Sequence, residues 1–242
     1  MRLDKALVLR GVCRSRTEAQ TLIDEEMITV NGQHGFKASA LTADDAVLAR
    51  HDVGPRFVSR GALKLEGALT DFGIDVSGFA ALDVGASTGG FTECLLRRGV
   101  SSVIAIDVGH DQMVLEIASD PRVQSREGVN ARSLTPADFP HLFDIIVADL
   151  SFISLTLVLP ALAPLLAPGG ELICLVKPQF EVGQAHLGKN GVVRDPKART
   201  EALERVAGAA KALGLREKGR MTSPIEGSDG NVEFLLRLQT MD

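Results

Sequence analysis

Two lysines and two carboxylates, Lys64, Asp149, Lys177 and Glu233, lie far apart in a chain of 242 residues, yet three of them stand at the ends of apolar runs. Asp149 follows the run Ile145 to Ala148, Lys177 follows Leu172 to Val176, and Glu233 stands near the start of Val232 to Leu238. In a parallel sheet the ligand crevice lies beyond the carboxyl ends of the strands, so Asp149 and Lys177 are expected to face one crevice. A last strand that enters antiparallel brings its beginning, and Glu233, to the same end. Lys64 belongs to a helix predicted ahead of the first of these strands. There Leu65, Ala68 and Leu69 form an apolar face, and Gly61, Lys64 and Ala68 a shallow one that an RNA backbone can approach. Two ammonium groups and two carboxylates suit the deprotonation of a weakly acidic hydroxyl such as a ribose 2'-OH. A neighbouring cation and partial burial lower a lysine's pKa, so Lys64 helps Lys177 act as a neutral base while Asp149 and Glu233 orient the ammonium groups. The alternative for any one of the four is an ordinary ion pair on the edge of an α/β sheet.

The segment Leu82-Asp83-Val84-Gly85-Ala86-Ser87-Thr88-Gly89-Gly90-Phe91 reads as a strand running into a glycine-rich turn and a helix. Missing side chains there let backbone N–H groups approach a ligand. The spacing matches neither the G-x-G-x-x-G of dinucleotide-binding loops nor the G-x-x-x-x-G-K-[ST] of phosphate-binding loops, and no lysine follows to neutralise phosphates. Asp107 ends the next apolar run, where an acid accepts hydrogen bonds from both hydroxyls of an adenosine ribose. Its competing reading is a turn residue at a strand end. A cofactor with a free ribose and little phosphate fits this pattern, which points to S-adenosylmethionine and to in-line methyl transfer. Phe91 either meets the cofactor or packs the helix on the sheet, and Asn130, after the third strand, is placed to meet the adenine edge.

The elements that must position these residues are a doubly wound, mostly parallel sheet. Runs Ala80 to Val84, Ser102 to Ile106, Ile145 to Ala148 and Leu172 to Val176 alternate with helix-like segments, and Val232 to Leu238 closes the sheet antiparallel. The apolar stretch Leu155 to Ala167 carries Pro160 and Pro164 and falls short of the roughly 20 residues of a spanning helix, so a buried helix under the sheet is expected. Ahead of this unit, Leu3, Ala6, Leu7 and Arg10 keep helical spacing up to Gly11. Ser15-Arg16-Thr17-Glu18 is a capping box before the apolar face Ala19, Leu22 and Ile23. Ile28 to Val30 followed by Asn31-Gly32 reads as a strand and a tight hairpin turn. Arg14 and Arg16 flank a helix N-terminus, where the macrodipole disfavours cations, so a phosphate is expected beside them, with two solvated arginines as the alternative. Gly54-Pro55 marks a hinge, giving a small α+β unit over 1–53, a linker over 54–58 and an α/β unit over 59–242.

The formal net charge of −5 and pI near 5.6 mean that any nucleic acid must be met by a local basic patch. Gly188 to Asp195 is a glycine-punctuated loop whose Lys189 and Arg194 can meet phosphates, or which simply lies in solvent. Cys13, Cys94 and Cys174 form neither a disulfide framework nor a paired metal-ligand spacing, so a reducing cytosol is expected and no metal. Met1-Arg2-Leu3-Asp4-Lys5 places charges where a secretory signal needs an apolar run. There is no Trp or Tyr, so any stacking surface for bases must come from the ten Phe or from Arg.

Two resemblances sharpen these expectations. Arg2-Leu3-Asp4-Lys5-Ala6-Leu7, Arg14-Ser15-Arg16-Thr17-Glu18-Ala19 and Ile28-Thr29-Val30-Asn31-Gly32 resemble the S4 RNA-binding domain of ribosome-associated enzymes, which implies structured RNA as partner and an acidic Asp24-Glu25-Glu26 cluster turned away from it. Ser59 to Leu65, Asp83 to Thr92, Val147 to Ser154, Leu175 to Glu181 and Gly230 to Glu233 resemble the TlyA family of ribosomal RNA 2'-O-methyltransferases, which couples an S4 domain to an FtsJ-type domain with a Rossmann-like, class I S-adenosylmethionine-dependent methyltransferase fold. The resemblance implies Lys64, Asp149, Lys177 and Glu233 as the catalytic tetrad, and a cytidine ribose of rRNA in ribosomal subunits as the acceptor. It is consistent with cofactor binding by Asp83, Gly85, Ser87, Thr88, Gly89, Gly90, Phe91, Asp107, Asn130 and Asp149. The RNA-facing set is expected to be Arg2, Lys5, Arg14, Arg16, Arg60, Lys189 and Arg194. In the family the linker, here including Arg56-Phe57-Val58, is thought to influence cofactor binding. The short C-terminus resembles members acting on large-subunit rRNA, with small-subunit rRNA as a further candidate. A cytoplasmic monomer is expected. Because the family often bears the name hemolysin, a membrane-lytic protein is the alternative, as is an RNA-binding assembly factor with an idle site. No basic amphipathic helix of the membrane-surface kind supports the first.

Overall fold

The computed structural model describes residues 1–13, 15–24, 27–50, 57–183, 187–188, 191–227 and 229–240. The chain divides into two compact units, Met1–Arg56 and Phe57–Asp242.

In the first unit, α1 (Leu3–Leu9) and α2 (Arg16–Asp24) bury Leu3, Leu7, Ala19, Leu22 and Ile23 against β1 (Ile28–Val30). The helix ends follow the residues expected to make them. Gly11 takes φ 71 after α1, and Ser15 Oγ accepts the Glu18 N–H at 3.1 Å. Asn31 and Gly32 adopt φ 52 and 77, and Val30 and Gln33 exchange backbone hydrogen bonds of 3.0 and 3.1 Å, so the tight turn forms as its sequence demands. The ladder partner of β1 is nevertheless not the residues just past the turn but β2 (Leu48–Arg50), with Ile28 opposite Arg50. The Asn31 carboxamide oxygen accepts the Val47 N–H at 2.8 Å and guides β2 into place.

Beside the anion expected at Arg16, the fold supplies an internal carboxylate that Arg16 shares with Arg2 while staying half exposed. The buried Asp4 carboxylate lies 3.0 Å from Arg2 and 2.7 Å from Arg16. Their hydrogen bonds hold Asp4 well below the usual carboxylate range. Arg14, Glu25, Glu26 and residues 51–56, hence the Gly54-Pro55 hinge, lie outside the described residues.

The second unit is a seven-stranded sheet in the order β5-β4-β3-β6-β7-β9-β8. Its members are β3 (Ala80–Val84), β4 (Ser102–Ile106), β5 (Val123–Arg126), β6 (Phe143–Ala148), β7 (Leu166–Val176), β8 (Leu215–Thr222) and β9 (Phe234–Thr240). Strands β3 to β7 are mutually parallel, and β9 runs antiparallel to both neighbours, β7 and β8. Alternate residues of each strand feed opposite layers, as a pleat requires. Ala81, Val103, Ile145, Val147, Ile173 and Leu235 pack with α3 (Gly61–Asp71) and α4 (Gly90–Arg97). Leu82, Ile104, Ile146, Leu172, Cys174 and Leu236 pack with Leu159 and Leu162 of α6 (Leu159–Leu162), and with Leu203, Val206 and Ala210 of α8 (Pro196–Ala212). Each such fully buried Leu, Ile or Val contributes about 1.5–3 kcal/mol. Two further short helices, α5 (Leu115–Ala118) and α7 (Pro178–Glu181), follow the carboxyl ends of β4 and β7.

Three local expectations change. Leu155 to Ala167 is not one helix. The 3-10 turn Leu155–Leu157, α6 and the 3-10 turn Ala163–Leu165 follow one another, and Leu166 already begins β7. Proline removes an N–H and clashes with the preceding turn, so Pro160 and Pro164 each sit at the start of a new turn. Strands β5 and β8 have mixed polarity and carry no apolar run to mark them. Strand β9 starts at Phe234, which leaves Glu233 one residue before the ladder.

Candidate active site

The turn after β3 is shaped by close approaches that only glycine permits. Gly85 takes φ 87, and its N–H and that of Ala86 donate to Ile106 O at 2.9 and 3.1 Å. A Cβ on Gly85 would run into the backbone carbonyl of Asp149, whose own N–H donates to Val84 O at 3.0 Å. Gly89 takes φ 98, and a Cβ there would lie 3.2 Å from Ile117. A Cβ on Gly90 would collide with Ser59 Oγ. The turn is thus clamped between the end of β6, α5 and the entrance of α3.

Asp107 joins this turn to the one after β4. Its carboxylate accepts the Ser87 N–H at 2.8 Å and the Gly109 N–H at 2.7 Å, and Ser87 holds φ 45 to make the first contact. Gln112, which no sequence signal marked, places its Oε1 3.1 Å from Ser87 Oγ. Asp83 lies fully buried at the end of β3. Its Oδ2 accepts the Thr92 hydroxyl at 2.6 Å, and its Oδ1 has no partner among the described residues. Burial pushes the Asp83 carboxyl up to about 7, against the Thr92 hydrogen bond and helped by the Asp149 and Asp107 carboxylates. Phe91 is buried in the α3–α4 layer, so the packing reading accounts for it. Asn130 spends its carboxamide oxygen on the Arg132 N–H at 3.0 Å, capping the 3-10 turn Ala131–Ser133.

The four lysine and carboxylate groups form two ion pairs. Lys64 Nζ lies 2.6 Å from Glu233 Oε2, with the side chains 10% and 3% exposed, and Lys177 Nζ lies 2.6 Å from Asp149 Oδ1. Several placements bring the pairs to one edge. Val176 stands opposite Phe234 in the β7–β9 ladder, so Lys177 and Glu233 leave it side by side. A Cβ on Gly61 would lie 3.9 Å from Asp149 Oδ2, and Lys64 is one turn further along the same face of α3. The chain around Gly227 packs against the Glu233 carboxylate, where a Cβ would come within 2.6 Å.

Two loops complete the crevice. Lys177 Nζ donates to Ser151 Oγ at 3.0 Å. Phe152 takes φ 63 and is 91% exposed, its ring centroid 5.2 Å from that of Phe180. The buried Glu181 carboxylate accepts Ser154 Oγ–H at 2.6 Å and the Leu155 N–H at 2.7 Å. Burial raises its pKa and these two hydrogen bonds oppose the rise. Buried Asn231 accepts the Val193 N–H at 3.0 Å and donates to Gly191 O at 3.2 Å, tying the loop that carries Arg194 to the entrance of β9. Sequence reading missed Phe152, Glu181 and Asn231, although all three stand in the motifs that contain the tetrad. Of the expected RNA-facing residues, Lys5, Arg16, Arg60 and Arg194 are exposed, Arg2 is partly buried, and Arg14 and Lys189 lie outside the described residues.

A parallel sheet with one antiparallel strand inserted beside its edge, and a glycine turn after its first strand, is the fold of class I methyltransferases. Solved S-adenosylmethionine-dependent methyltransferases of 13–15% identity share it, with TM-scores of 0.51–0.54, which shows the fold alone. The FtsJ-like methyltransferase family matches residues 57–240 and the S4 domain family residues 1–34. The chain is 46% identical over 240 residues to the 16S/23S rRNA (cytidine-2'-O)-methyltransferase TlyA of Mycobacterium tuberculosis, covering 99% of this chain and 90% of that protein. It is 34% identical to the 23S rRNA (cytidine-2'-O)-methyltransferase TlyA of Campylobacter jejuni, covering 91% and 92%. A solved structure bearing the hemolysin name, from Streptococcus thermophilus, is 40% identical with a TM-score of 0.79, covering 100% of this chain and 89% of that one. The chain belongs to the TlyA family of methyltransferases, an S4 domain joined to an FtsJ-like domain. Among the described residues no helix is long and apolar enough to cross a membrane.

Proposed function

We propose that this protein transfers a methyl group from S-adenosylmethionine to the 2'-OH of a cytidine ribose in ribosomal RNA, with large-subunit RNA the first substrate to test. The observation that carries the reading is the pair of ion pairs, Lys64–Glu233 and Lys177–Asp149, at the carboxyl edge of a methyltransferase sheet. Large-subunit RNA is preferred because the names of both TlyA relatives include it.

The residues present fit the cofactor. The glycine turn offers a cradle that Cβ atoms would fill, Asp107 offers a carboxylate for ribose hydroxyls, and Asp83 Oδ1 is a buried acceptor without a partner among the described residues, suited to an ammonium group. When bound, S-adenosylmethionine supplies a methyl group on a positively charged sulfur. Lys177, in its neutral form, takes the proton of the ribose hydroxyl at Nζ. Asp149 holds that nitrogen in place and offsets the charge it gains, and Lys64 is held by Glu233 in the same way. Phe152 and Phe180 offer an exposed aromatic surface on which a base swung out of an RNA helix can stack. Most of the rate comes from holding oxygen, methyl carbon and sulfur in line. The S4 unit supplies a second grip on structured RNA, and the cytoplasm is where that substrate is met.

The test is methyl transfer from radiolabelled S-adenosylmethionine to purified small subunits, large subunits and 70S ribosomes, with Lys177→Ala as control and mapping of the modified ribose. Label in large subunits that disappears in the variant is expected. Cofactor binding without label on any particle would revive the idle-site reading. Leakage of protein-free liposomes by the pure protein would instead support the activity that the hemolysin name of the Streptococcus thermophilus structure implies.

A further inference from the structure

A neutral amine carries two hydrogens and one lone pair in a tetrahedral arrangement, so an amine that is to act as a base must have its hydrogens directed elsewhere. Around Lys177 Nζ stand one hydrogen-bond acceptor and one ion-pair partner. The nitrogen donates to Ser151 Oγ at 3.0 Å and lies 2.6 Å from Asp149 Oδ1. The Ser151 hydrogen bond takes one direction from those open to the lone pair, and repulsion by the Asp149 carboxylate disfavours a second, so the substrate hydroxyl must approach from the rest.

We propose that Ser151 is a positioning residue that, together with Asp149, sets the direction in which Lys177 presents its lone pair. The proposal rests on the reading of Lys177 as the base. A surface hydroxyl beside a lysine is by itself an ordinary contact, but here the surrounding chain enforces it. Phe152, the next residue, is held at φ 63, a conformation that a bulky L-residue keeps only where its surroundings impose it. Two and three residues beyond it, the Ser154 hydroxyl and the Leu155 N–H are both bound by the buried carboxylate of Glu181. Glu181 ends α7, the turn that begins immediately after Lys177. The loop carrying Ser151 and the turn carrying Lys177 are therefore stapled together by a buried group, and the Ser151–Lys177 contact lies inside that staple.

Ser151→Ala and Ser151→Thr test this in single-turnover transfer to the ribosomal particle that the wild type labels. Displacing a reacting group by about an ångström costs about 100-fold in rate. Ser151→Ala is expected to lower the rate constant about 10- to 100-fold, with the KM values for cofactor and particle within about twofold of wild type. Ser151→Thr keeps the hydroxyl and is expected to recover most of the rate. An unchanged rate in Ser151→Ala, an equal loss in both variants, or a loss carried by KM would overturn the assignment. Lys177→Ala run alongside separates two failures. Transfer retained there overturns the base reading itself, whereas an inactive Lys177→Ala beside an unaffected Ser151→Ala overturns only the role of Ser151.

Discussion

Lys64 reaches from α3 to Glu233, 169 residues later in the chain, and closes a 2.6 Å ion pair that is almost wholly withdrawn from solvent. A buried pair of this kind adds little net stability when whole, because desolvation offsets most of the attraction. Removing one partner, however, leaves a buried uncompensated charge that costs about 3–5 kcal/mol.

Glu233→Ala and Lys64→Ala are therefore expected to lose both transfer and fold stability, by about 3–5 kcal/mol in denaturant unfolding. The double replacement Lys64→Met, Glu233→Leu is expected to restore stability and leave the protein inactive. Restored activity in the double variant would show that the pair serves the fold alone.

Asp83 links stability to pH. Its folded-state pKa, about 7, is raised above that of the unfolded chain, so the native protein keeps a proton that the unfolded chain releases above about pH 4. Its contribution is fully present below about pH 4, declines as pH rises to about 7, and is constant above that. Asp83→Asn should remove this slope, which unfolding free energies of wild type and variant across that interval would reveal. Parallel curves would place the Asp83 carboxyl in the ordinary carboxylate range.

Phe152 is so exposed that its truncation removes almost no buried area. Phe152→Ala is expected to leave the melting temperature and cofactor affinity unchanged while raising the KM for the ribosomal particle about 10-fold, in keeping with about 1–3 kcal/mol for a base stacked on an aromatic ring. Isothermal titration with the cofactor, beside steady-state transfer, distinguishes this from a defect in the crevice.

Arg194 stands on the loop that Asn231 ties to the entrance of β9. If it neutralises one phosphate, Arg194→Ala should weaken RNA binding about equally across sequences and reduce the slope of log K against log salt concentration by about 1. A salt dependence identical to that of the wild type would place this residue in solvent.

Much of the architecture is legible in the order of the amino acids. Strand ends are marked by apolar runs that stop at Asp, Lys or Gly, and the parallel order follows from their alternation with helices. Asp149, Lys177 and Glu233 could thus be assigned to one edge without knowing a single contact. The glycines at 85, 89 and 90 announce a turn for the same local reason, since a missing Cβ is a property of the residue itself. Asn31-Gly32 likewise makes its turn from its own backbone preferences.

What only the tertiary structure decided is which group meets which. Lys64 pairs with Glu233 and Lys177 with Asp149 because the β7–β9 register and the seat of α3 over the sheet place them so, and no spacing in the chain encodes either. Arg16 and Arg2 share the carboxylate of Asp4, one helix earlier, because folding brings it beneath both. Pro160 and Pro164 were visible, but their division of one apolar stretch into turns and a strand depended on β6 being there to pair with Leu166. The chain behind exposed Phe152 is held by Glu181, the buried last residue of α7, through Ser154 and Leu155, which no local spacing announces. Local propensity and periodicity act over a few residues, whereas ion pairing, burial and register are set by residues that only folding brings together.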